Sequence, residues 1–409
     1  MAESTLADRD LASEERTPDT FSKPGTASFA DRAREVAVVA ARHADDVDRL
    51  SRFPQESLEA LRATGLLAAA VPADLGGEDA TMADLVEISR LLGEACSATG
   101  MVFAMHQIQV LMMTRHGADS ATSRATLARV ASHGSLLASA TTELGIGGNT
   151  RTSGCSVEPL ADDWVSLSKA TPVISYGAQA DVVLATARRT ADSAASDQVV
   201  VICPSPQTSL TQTSDWNTLG FRGTCSAGFE LRAEVPADHV MDVDFATISS
   251  QTMLPVSHVL WAAVWFGIAT AAADRARAVV LAAARKTIGT LPPSATRLAE
   301  LLTELSAFEA LVDDATRTFE DHVEDPEVLT SVALTMRFNS LKITASESVI
   351  AITSKAMLIA GIAGYRLDSE VSVGRLLRDS YGTAVMVNND RILGNNAQIS
   401  LLQRKKAHR

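Results

Sequence analysis

The period of the apolar residues changes twice along the chain, and this double change limits the fold more than any other feature of the sequence. Apolar residues first recur at helical spacing, for example over residues 82–95. The middle of the chain carries short β-rich runs separated by Gly, Asn, Asp and Ser, at residues 164–167, 181–186, 198–203 and 228–234. Ala-rich helical patterns then return, at residues 259–284, 297–323 and 328–359.

Helices, then strands, then helices predict an α+β chain rather than alternating βαβ units. We expect an N-terminal helical domain at residues 27–134, a central antiparallel β-barrel or sandwich at residues 135–245 and a C-terminal helical bundle at residues 246–409. Residues 1–26 are rich in Ser, Thr, Asp and Glu. Such a composition predicts a disordered tail.

Charge and cysteine content exclude several classes of function. The 36 Lys and Arg against 49 Asp and Glu give a net charge of −13, which argues against binding to nucleic acid or to an anionic membrane surface. The longest apolar run, residues 259–273, is shorter than the ~20 residues of a membrane span and is interpreted as a buried helix. The four cysteines form no CxxC pair, so we expect neither a disulfide framework nor a metal site. We predict a cytoplasmic protein.

The β-rich block begins with a glycine-rich stretch that is a candidate ligand loop. Residues 138–149 contain Thr142 followed by Gly145, Gly147 and Gly148. Glycines let backbone N–H groups approach a planar or phosphorylated ligand closely. A turn between two strands would have the same composition, and the spacing is not that of a dinucleotide fingerprint.

Seven segments, taken in order, resemble the acyl-CoA dehydrogenase family of flavoproteins over roughly residues 27–397. They are Phe53-Pro54 to Gly76-Gly77, the stretch from Ala140 to Gly147, Lys169 to Asp181, Leu219 to Pro236, Arg285 to Gly289, Gly361 to Tyr365, and Arg378-Asp379 with Ile392 fourteen residues later. The resemblance implies the family's fold, in which a helical domain, a β-barrel and a four-helix bundle follow one another. It also implies bound FAD and a homotetramer built as a dimer of dimers, because the family's flavin sites are shared between subunits.

The resemblance assigns cofactor contacts to particular residues. Thr142 would bind the pyrimidine edge of the flavin, and Ser175 would lie near its N5 atom. Gly147 and Gly148 would let the loop pass close to the ring. The remaining cofactor residues are Arg285, Gly361 and Gly364, which would meet the FAD pyrophosphate across a subunit boundary, and Asn389, in the final motif.

The family's catalytic carboxylate is missing from both positions at which members carry it. In the family a Glu removes the proton α to a thioester carbonyl while hydride leaves Cβ for the flavin. The usual position falls on Val387 and the alternative one on Ser257. Neither side chain is a carboxylate, so ordinary dehydrogenation lacks its base.

Three chemistries remain open. His258, beside Ser257, could serve as an atypical base, as could Asp390. A β-keto acid could instead generate its own enolate by losing carbon dioxide. Finally, reduced flavin could react with oxygen, as in the monooxygenase branch of this fold, with hydrogen bonds supplied by Asn388, Asn389, Ser175 and His106.

Each candidate also has a purely structural interpretation. His106 could belong to a core, His258 to a helix start, and Asn388 and Asn389 to a turn. Trp261 and Trp265, four residues apart, are interpreted as core packing rather than a substrate cage.

The sequence therefore predicts an FAD-dependent oxidoreductase that oxidises the Cα–Cβ bond of an acyl substrate tethered to CoA or a carrier protein. Its electrons would pass to an electron-transfer partner or to oxygen. The alternatives are a flavin-dependent monooxygenase or decarboxylating oxidase of specialised metabolism, and a scaffold without catalysis.

Overall fold

The computed structural model describes residues 21–146, 149–286 and 289–402 of the chain. The first part is helical, and its helix starts follow the capping rules: the Ser28 hydroxyl accepts a hydrogen bond from the Asp31 N–H, and Thr81 and Asp84 form a capping box. The helices are α1 (Phe29–Leu50), α2 (Gln55–Ala63), α3 (Met82–Ala95), α4 (Ser97–His116) and α5 (Ala121–His133).

Of the predicted disordered tail, residues 1–26, only residues 21–26 are among the described residues. The Phe21 side chain is buried in the core, and the Ser22 backbone N–H and hydroxyl both donate to the Glu35 carboxylate on α1, at 2.9 and 2.7 Å. Phe21 and Ser22 are therefore packed against the helical part of the protein, which corrects that end of the prediction, whereas residues 23–26 are exposed. The rest of the predicted tail, residues 1–20, lies outside the described residues.

Two sheets follow the helices. The three-stranded sheet has the order β1-β4-β5 and the four-stranded sheet the order β2-β3-β7-β6. The strands are β1 (Leu137–Ala140), β2 (Glu158–Pro159), β3 (Trp164–Thr171), β4 (Val182–Arg188), β5 (Gln198–Pro204), β6 (Thr208–Ser214) and β7 (Gly228–Pro236).

The prediction of a wholly antiparallel block is wrong for one pair, because β1 pairs with β4 in parallel. The connection between these two strands is long enough for a parallel crossover, since it contains β2 and β3 of the other sheet. Strand β6 escaped the sequence analysis because its Thr, Ser and Gln side chains are mostly exposed and give no apolar alternation.

The C-terminal part is a helical bundle in which α7, α8, α10 and α11 pack on one another. A π-helical turn, Ser249–Met253, joins α6 to α7. The helices are α6 (Phe245–Ile248), α7 (Leu254–Lys286), α8 (Ala295–His322), α9 (Pro326–Leu329), α10 (Val332–Tyr365), α11 (Gly374–Val385) and α12 (Asn389–Leu402).

Helix α7 lies at the centre of the molecule because two glycines let its backbone touch that of α3. A Cβ atom on Gly267 would lie 2.2 Å from the Arg90 carbonyl oxygen, and one on Gly93 would lie 2.4 Å from the Val264 carbonyl oxygen. Real Cβ atoms do not come this close to backbone oxygens. The close contact ties the N-terminal helices to the bundle and fixes α7 beside α4.

Within the part of the chain that the structure describes, two helical stretches are long and apolar enough, by length and composition alone, to cross a membrane: Phe245–Lys286 and Val332–Tyr365. The most apolar window of the first is 83% buried inside the protein, and that of the second 39%. The interpretation of residues 259–273 as part of a buried helix is confirmed. Helix α10, in contrast, leaves apolar side chains uncovered, including Leu358 and Ile362, which are 70% and 75% exposed.

Candidate active site

A cavity of about 810 Å³ lies where the helical faces of α4 and α7 meet the sheets and the end of α11. Its volume is within the usual range for small-molecule sites. The helical wall consists of Met101, Met105, Ile108 and Gln109 on α4 and Leu254, Ser257, His258 and Trp261 on α7. The sheet-side wall includes Ser139, Thr141, Thr142, Val173, Ser175 and Tyr176. Among the described residues that line the cavity there is no Asp, Glu, Lys or Arg.

Both positions at which the family carries its base face this one cavity. Val387 lines it from the turn after α11, and Ser257 lines it from α7. The Ser257 hydroxyl donates to the Leu254 carbonyl oxygen at 3.1 Å. Val387 has a φ of 47°, a left-handed conformation that is costly for a β-branched residue.

A buried lysine holds the turn that contains Val387. The Lys342 ammonium donates to the Val387 carbonyl oxygen at 2.8 Å and to the Asn389 Oδ1 atom at 2.6 Å. Burial lowers the pKa of Lys342 to about 8. These bonds stabilise the strained turn and so fix which side chain it presents to the cavity.

His258 lines the cavity but is a weak proton acceptor. Its Nδ1 atom lies 3.0 Å from the Phe338 carbonyl oxygen, so Nδ1 carries the proton and donates. Burial, with the nearby Lys342 charge, lowers the pKa of His258 to about 3. The ring therefore stays neutral at physiological pH, and its remaining nitrogen has little affinity for a substrate proton.

Two acidic residues that are close in sequence to wall residues, Glu143 and Asp379, are hydrogen-bonded to other groups. Glu143 accepts from the Ser153 hydroxyl at 2.6 Å and from the Gly154 and Cys155 backbone N–H groups at 3.0 and 2.9 Å. Burial raises its pKa, but the Ser153 hydrogen bond and the Lys169 charge outweigh burial and lower it overall. Asp379 accepts from the Phe221 backbone N–H at 2.7 Å. Neither carboxylate lines the cavity.

Hydroxyl groups on the sheet side form a chain that ends at Ser175. The Ser226 hydroxyl donates to the Ser175 Oγ atom at 2.9 Å, and the Thr224 and Ser226 oxygens are 2.8 Å apart. Because Ser175 accepts in this chain, its own proton is available to a group in the cavity. Thr142, also in the wall, instead uses its hydroxyl proton on the Val173 carbonyl oxygen at 3.1 Å.

The structure corrects the expectation for His106, which does not line the cavity. The Leu137 backbone N–H donates to its Nδ1 atom at 3.1 Å, and its Nε2 atom donates to the Leu67 carbonyl oxygen at 2.9 Å. Burial lowers the pKa of His106 to about 4. Both nitrogens are occupied, so His106 joins α4 to β1 rather than contacting a substrate.

Asn388 and Asn389 are likewise outside the cavity wall, although Val387 beside them is in it. Asn388 is exposed. The Asn389 amide accepts from Lys342 and donates to the Ser346 hydroxyl at 3.0 Å. This corrects the prediction that either side chain lines the cavity, because the Asn389 amide is bound to Lys342 and Ser346 and the Asn388 side chain is exposed.

Among the described residues, the predicted cofactor residues Arg285, Gly361 and Gly364 do not line this cavity. Gly147 and Gly148 lie outside the described residues. Arg285 is exposed, and Gly361, with a φ of 61°, has open space where a side chain would be. Gly364 is buried near Val373. The predicted contacts of Arg285, Gly361 and Gly364 with FAD would be made across a subunit boundary, so a single chain does not test them and they remain predictions.

The sequence analysis did not identify Gln109 as a wall residue, and it interpreted Trp261 as core packing rather than as part of a cavity. Gln109 and Trp261 both line the cavity, and the Gln109 Oε1 and Trp261 Nε1 atoms are buried without a hydrogen-bond partner in the protein. Trp265, one turn beyond Trp261, does not reach the wall. Helix α4 is buried on almost every side, so its apolar pattern gives no sign of which face meets a cavity.

Comparison with known proteins identifies the fold family. The family model described as acyl-CoA dehydrogenase, N-terminal domain, matches residues 26–134, and that of the C-terminal domain matches residues 248–389. Cyclohex-1-ene-1-carbonyl-CoA dehydrogenase of Geobacter metallireducens is 26% identical over 370 residues, which cover 88% of this chain and 94% of that protein.

Solved structures share the whole architecture. FMN-bound TdsC from Paenibacillus sp. A11-2, a dibenzothiophene monooxygenase, has a TM-score of 0.79 at 18% identity and covers 92% of this chain and 98% of its own. KijD3 in complex with FMN and dTDP-3-amino-2,3,6-trideoxy-4-keto-3-methyl-D-glucose has a TM-score of 0.78 at 22% identity, with coverage of 92% and 94%. The family models span more than half of the sequence, and the chain belongs to the acyl-CoA dehydrogenase family.

Proposed function

We propose that this protein is a flavin-dependent monooxygenase that uses the acyl-CoA dehydrogenase fold without the family's base. The composition of the cavity wall is the main support for this proposal. Val387 and Ser257 occupy both positions of the base, and no described residue of the wall is a carboxylate. Removal of a proton α to a thioester carbonyl needs such a group with a matched pKa. Insertion of an oxygen atom does not.

Side chains on the sheet-side wall of the cavity could hold a flavin ring by a hydrogen bond and by apolar contact. Ser175 has a hydroxyl proton to donate there, and Val173 offers an apolar surface. TdsC and KijD3, which share the fold, contain FMN. We expect FAD, as the sequence motifs imply; release by denaturation and chromatography distinguishes it from FMN.

Bound in its reduced form, the flavin would supply two electrons to dioxygen. One oxygen atom would be inserted into a substrate C–H bond to give a C–O–H group, or would add to a sulfur lone pair of a thioether, and the other would leave as water with the two protons of the reduced flavin. A separate NAD(P)H-dependent reductase is the class of protein that would supply the electrons. In this reaction Ser175 would position the oxygen, and Met101, Met105 and Ile108 would exclude water from the cavity.

The other two chemistries fit the cavity less well. Dehydrogenation with His258 as base would rely on a ring whose pKa is about 3. A β-keto acid would bring a carboxylate into a wall that has no described cation to pair with it.

We also propose that the protein is a homotetramer, as the resemblance to the family implies. Exposed apolar side chains at the end of α10 and in the turn after it support an interface there, notably Leu358, Ile362, Tyr365 and Leu367, each at least 70% exposed.

The test is a single turnover with labelled oxygen. The flavin-loaded protein is photoreduced without air and mixed with ¹⁸O₂ and a panel of phenols, indoles and thioethers, and the products are analysed by mass spectrometry. We expect one labelled atom in a product. Ser175→Ala should lower the share of oxygen that enters product about tenfold or more, since it removes a donor at the reacting oxygen, while the exposed Ser132→Ala should not. Release of all the oxygen as peroxide or water across the panel would contradict the proposal.

A further inference from the structure

We propose that Lys342 is a positioning residue: its buried ammonium group holds the turn after α11 in a strained conformation and so keeps Val387 in the cavity wall. The consequence for catalysis rests on the proposed monooxygenase function. The effect on the turn does not depend on which reaction the protein performs.

Backbone strain is concentrated in the cavity wall. Among the described residues, eight that are not glycine have a positive φ, and three of these eight line the cavity: Tyr176, Phe221 and Val387. Their φ values are 44°, 49° and 47°. A residue with a Cβ atom adopts such a conformation at a cost, and it persists only where the surrounding groups hold it. Each of the three turns therefore depends on the contacts that hold it.

The group that holds the turn at Val387 is a buried cation. Lys342 is 0% exposed, and its ammonium group donates to the Val387 carbonyl oxygen at 2.8 Å and to the Asn389 Oδ1 atom at 2.6 Å. These two acceptors lie on either side of Asn388, so the bonds fix the turn before and after that residue. The Trp265 ring, whose centroid is 5.9 Å from the Lys342 Nζ atom, adds a cation–π contact.

The charge of Lys342 has no counter-ion among the described residues. Burial is the cause that lowers its pKa, and no carboxylate contributes. A buried ammonium group without a counter-ion costs free energy that an apolar side chain of similar length would not cost. In return, hydrogen bonds from a charged donor are about twice as strong as those from a neutral one. The costly charge thus lies where a strained part of the cavity wall needs a strong bond.

Few other contacts hold this end of the bundle. Val387 and Asn388 are exposed, and among the α12 residues whose side chains are described only Ile392 is buried. Further along α12, the Asn339 amide donates to the Asn396 Oδ1 atom at 2.8 Å. Loss of the Lys342 bonds should therefore loosen the turn without loosening the rest of the protein.

The test is hydrogen exchange of the flavin-loaded protein, measured by mass spectrometry on peptides that cover residues 384–393 and, as a reference, residues 82–95 of α3. The Met386 N–H donates to the Gly382 carbonyl oxygen at 2.9 Å, so exchange in the first peptide reports opening next to the turn. Lys342→Met should speed exchange in the first peptide about tenfold or more, and should leave the reference peptide unchanged.

Lys355→Met is the matched control, because Lys355 lies on the same helix, pairs with Glu304 and does not line the cavity. This variant should leave exchange of residues 384–393 at the wild-type rate. A second comparison separates strain from packing. Glycine adopts the left-handed conformation without steric cost, so in a Val387→Gly background the effect of Lys342→Met should shrink to about threefold or less. A lysine needed only for packing would have the same effect in both backgrounds.

Unchanged exchange of residues 384–393 in Lys342→Met would overturn the inference, as would equally faster exchange of both peptides or an equal effect in the Val387→Gly background. If Lys342→Met does not fold, Asn389→Leu keeps the lysine and removes one of its acceptors. Exchange of the turn in this variant should be about threefold faster or more, and exchange at the wild-type rate would overturn the inference.

The catalytic consequence is measured in the ¹⁸O₂ turnover. Lys342→Met should keep the rate of oxygen uptake but lower the share of oxygen that enters product about threefold or more, because the wall beside the reacting atoms is no longer fixed. A wild-type share in this variant would overturn the catalytic part. If exchange of the turn responds as expected while the wild-type protein forms no labelled product, the monooxygenase proposal fails and the role of Lys342 in the wall stands.

Discussion

Val387 and Ser257 are the two residues that most separate this cavity from that of a dehydrogenase. The sequence motifs located both, because each is anchored to a recognisable neighbour, Arg378-Asp379 for the first and Phe266-Gly267 for the second. The structure adds that both face the same cavity. It also argues against His258 as a replacement base, because burial lowers the pKa of its ring and Nδ1 donates to the Phe338 carbonyl oxygen. Neither the burial nor the hydrogen bond could be predicted from the sequence.

His106 was predicted to be a site residue, but in the structure it stabilises the packing of α4 against β1. We predict that His106→Leu lowers the free energy of unfolding at pH 7.5 by roughly 1–3 kcal/mol, because the Leu137 N–H loses its acceptor. The difference should shrink as the pH falls from about 6.5 towards 4. The folded pKa is depressed to about 4, so the unfolded wild-type chain binds a proton that the folded chain does not, and this destabilises the wild type by about 1.4 kcal/mol per pH unit.

Urea unfolding of both proteins between pH 5 and 7.5 measures this difference. A gap that stays constant over the range would show that His106 is protonated equally in the folded and unfolded chains, contrary to its burial.

At the scale of elements, the long helices were predicted well because their apolar periods are long. The prediction for residues 82–95 coincides with α3, Met82–Ala95. Strands were predicted where the side chains are buried, as in β5, whose residues are all buried. The parallel pairing of β1 with β4 could not be foreseen, because pairing depends on contacts distant in sequence.

The contact between α3 and α7 gives a prediction at this scale. Gly267→Ala should destabilise the protein by roughly 1–3 kcal/mol, because the new methyl group would meet the Arg90 carbonyl oxygen. This cost exceeds the helix propensity that Ala gains. Gly394→Ala, on the exposed face of α12 with open space around it, should instead stabilise by about 0.5–1 kcal/mol. Thermal unfolding compares the two; a stabilised Gly267→Ala variant would mean that the helices are further apart than described here.

At the scale of the whole molecule, the exposed apolar side chains on α10 are expected to form the interface between subunits. We predict that the double variant Leu358→Glu with Ile362→Glu lowers the mass measured by light scattering from that of a tetramer to that of a smaller species, because charged groups would be buried at the interface. Leu160→Glu, on the β-rich part, 43% exposed in the wild type, is the control and should leave the mass unchanged. A wild-type monomer, or a double variant of unchanged mass, would contradict the proposed interface.

The family and the order of its three parts could be predicted from sequence, because motifs and apolar periods are local properties. The cavity wall could be predicted only where a motif names its residues, as at Thr142 and Ser175. Gln109 could not be placed in the wall, and Trp261 was placed in the core instead, because which faces of two buried helices are left open depends on tertiary packing.

Among the residues that the structure describes, the cavity wall contains no group able to remove a proton α to a thioester. The most direct measurement is stopped-flow flavin absorbance of the oxidised, flavin-loaded protein mixed without oxygen with short-, medium- and long-chain acyl-CoA thioesters. We predict that the flavin band keeps its full intensity at every thioester concentration. Bleaching whose rate saturates with thioester would contradict it and would restore the protein to the dehydrogenases.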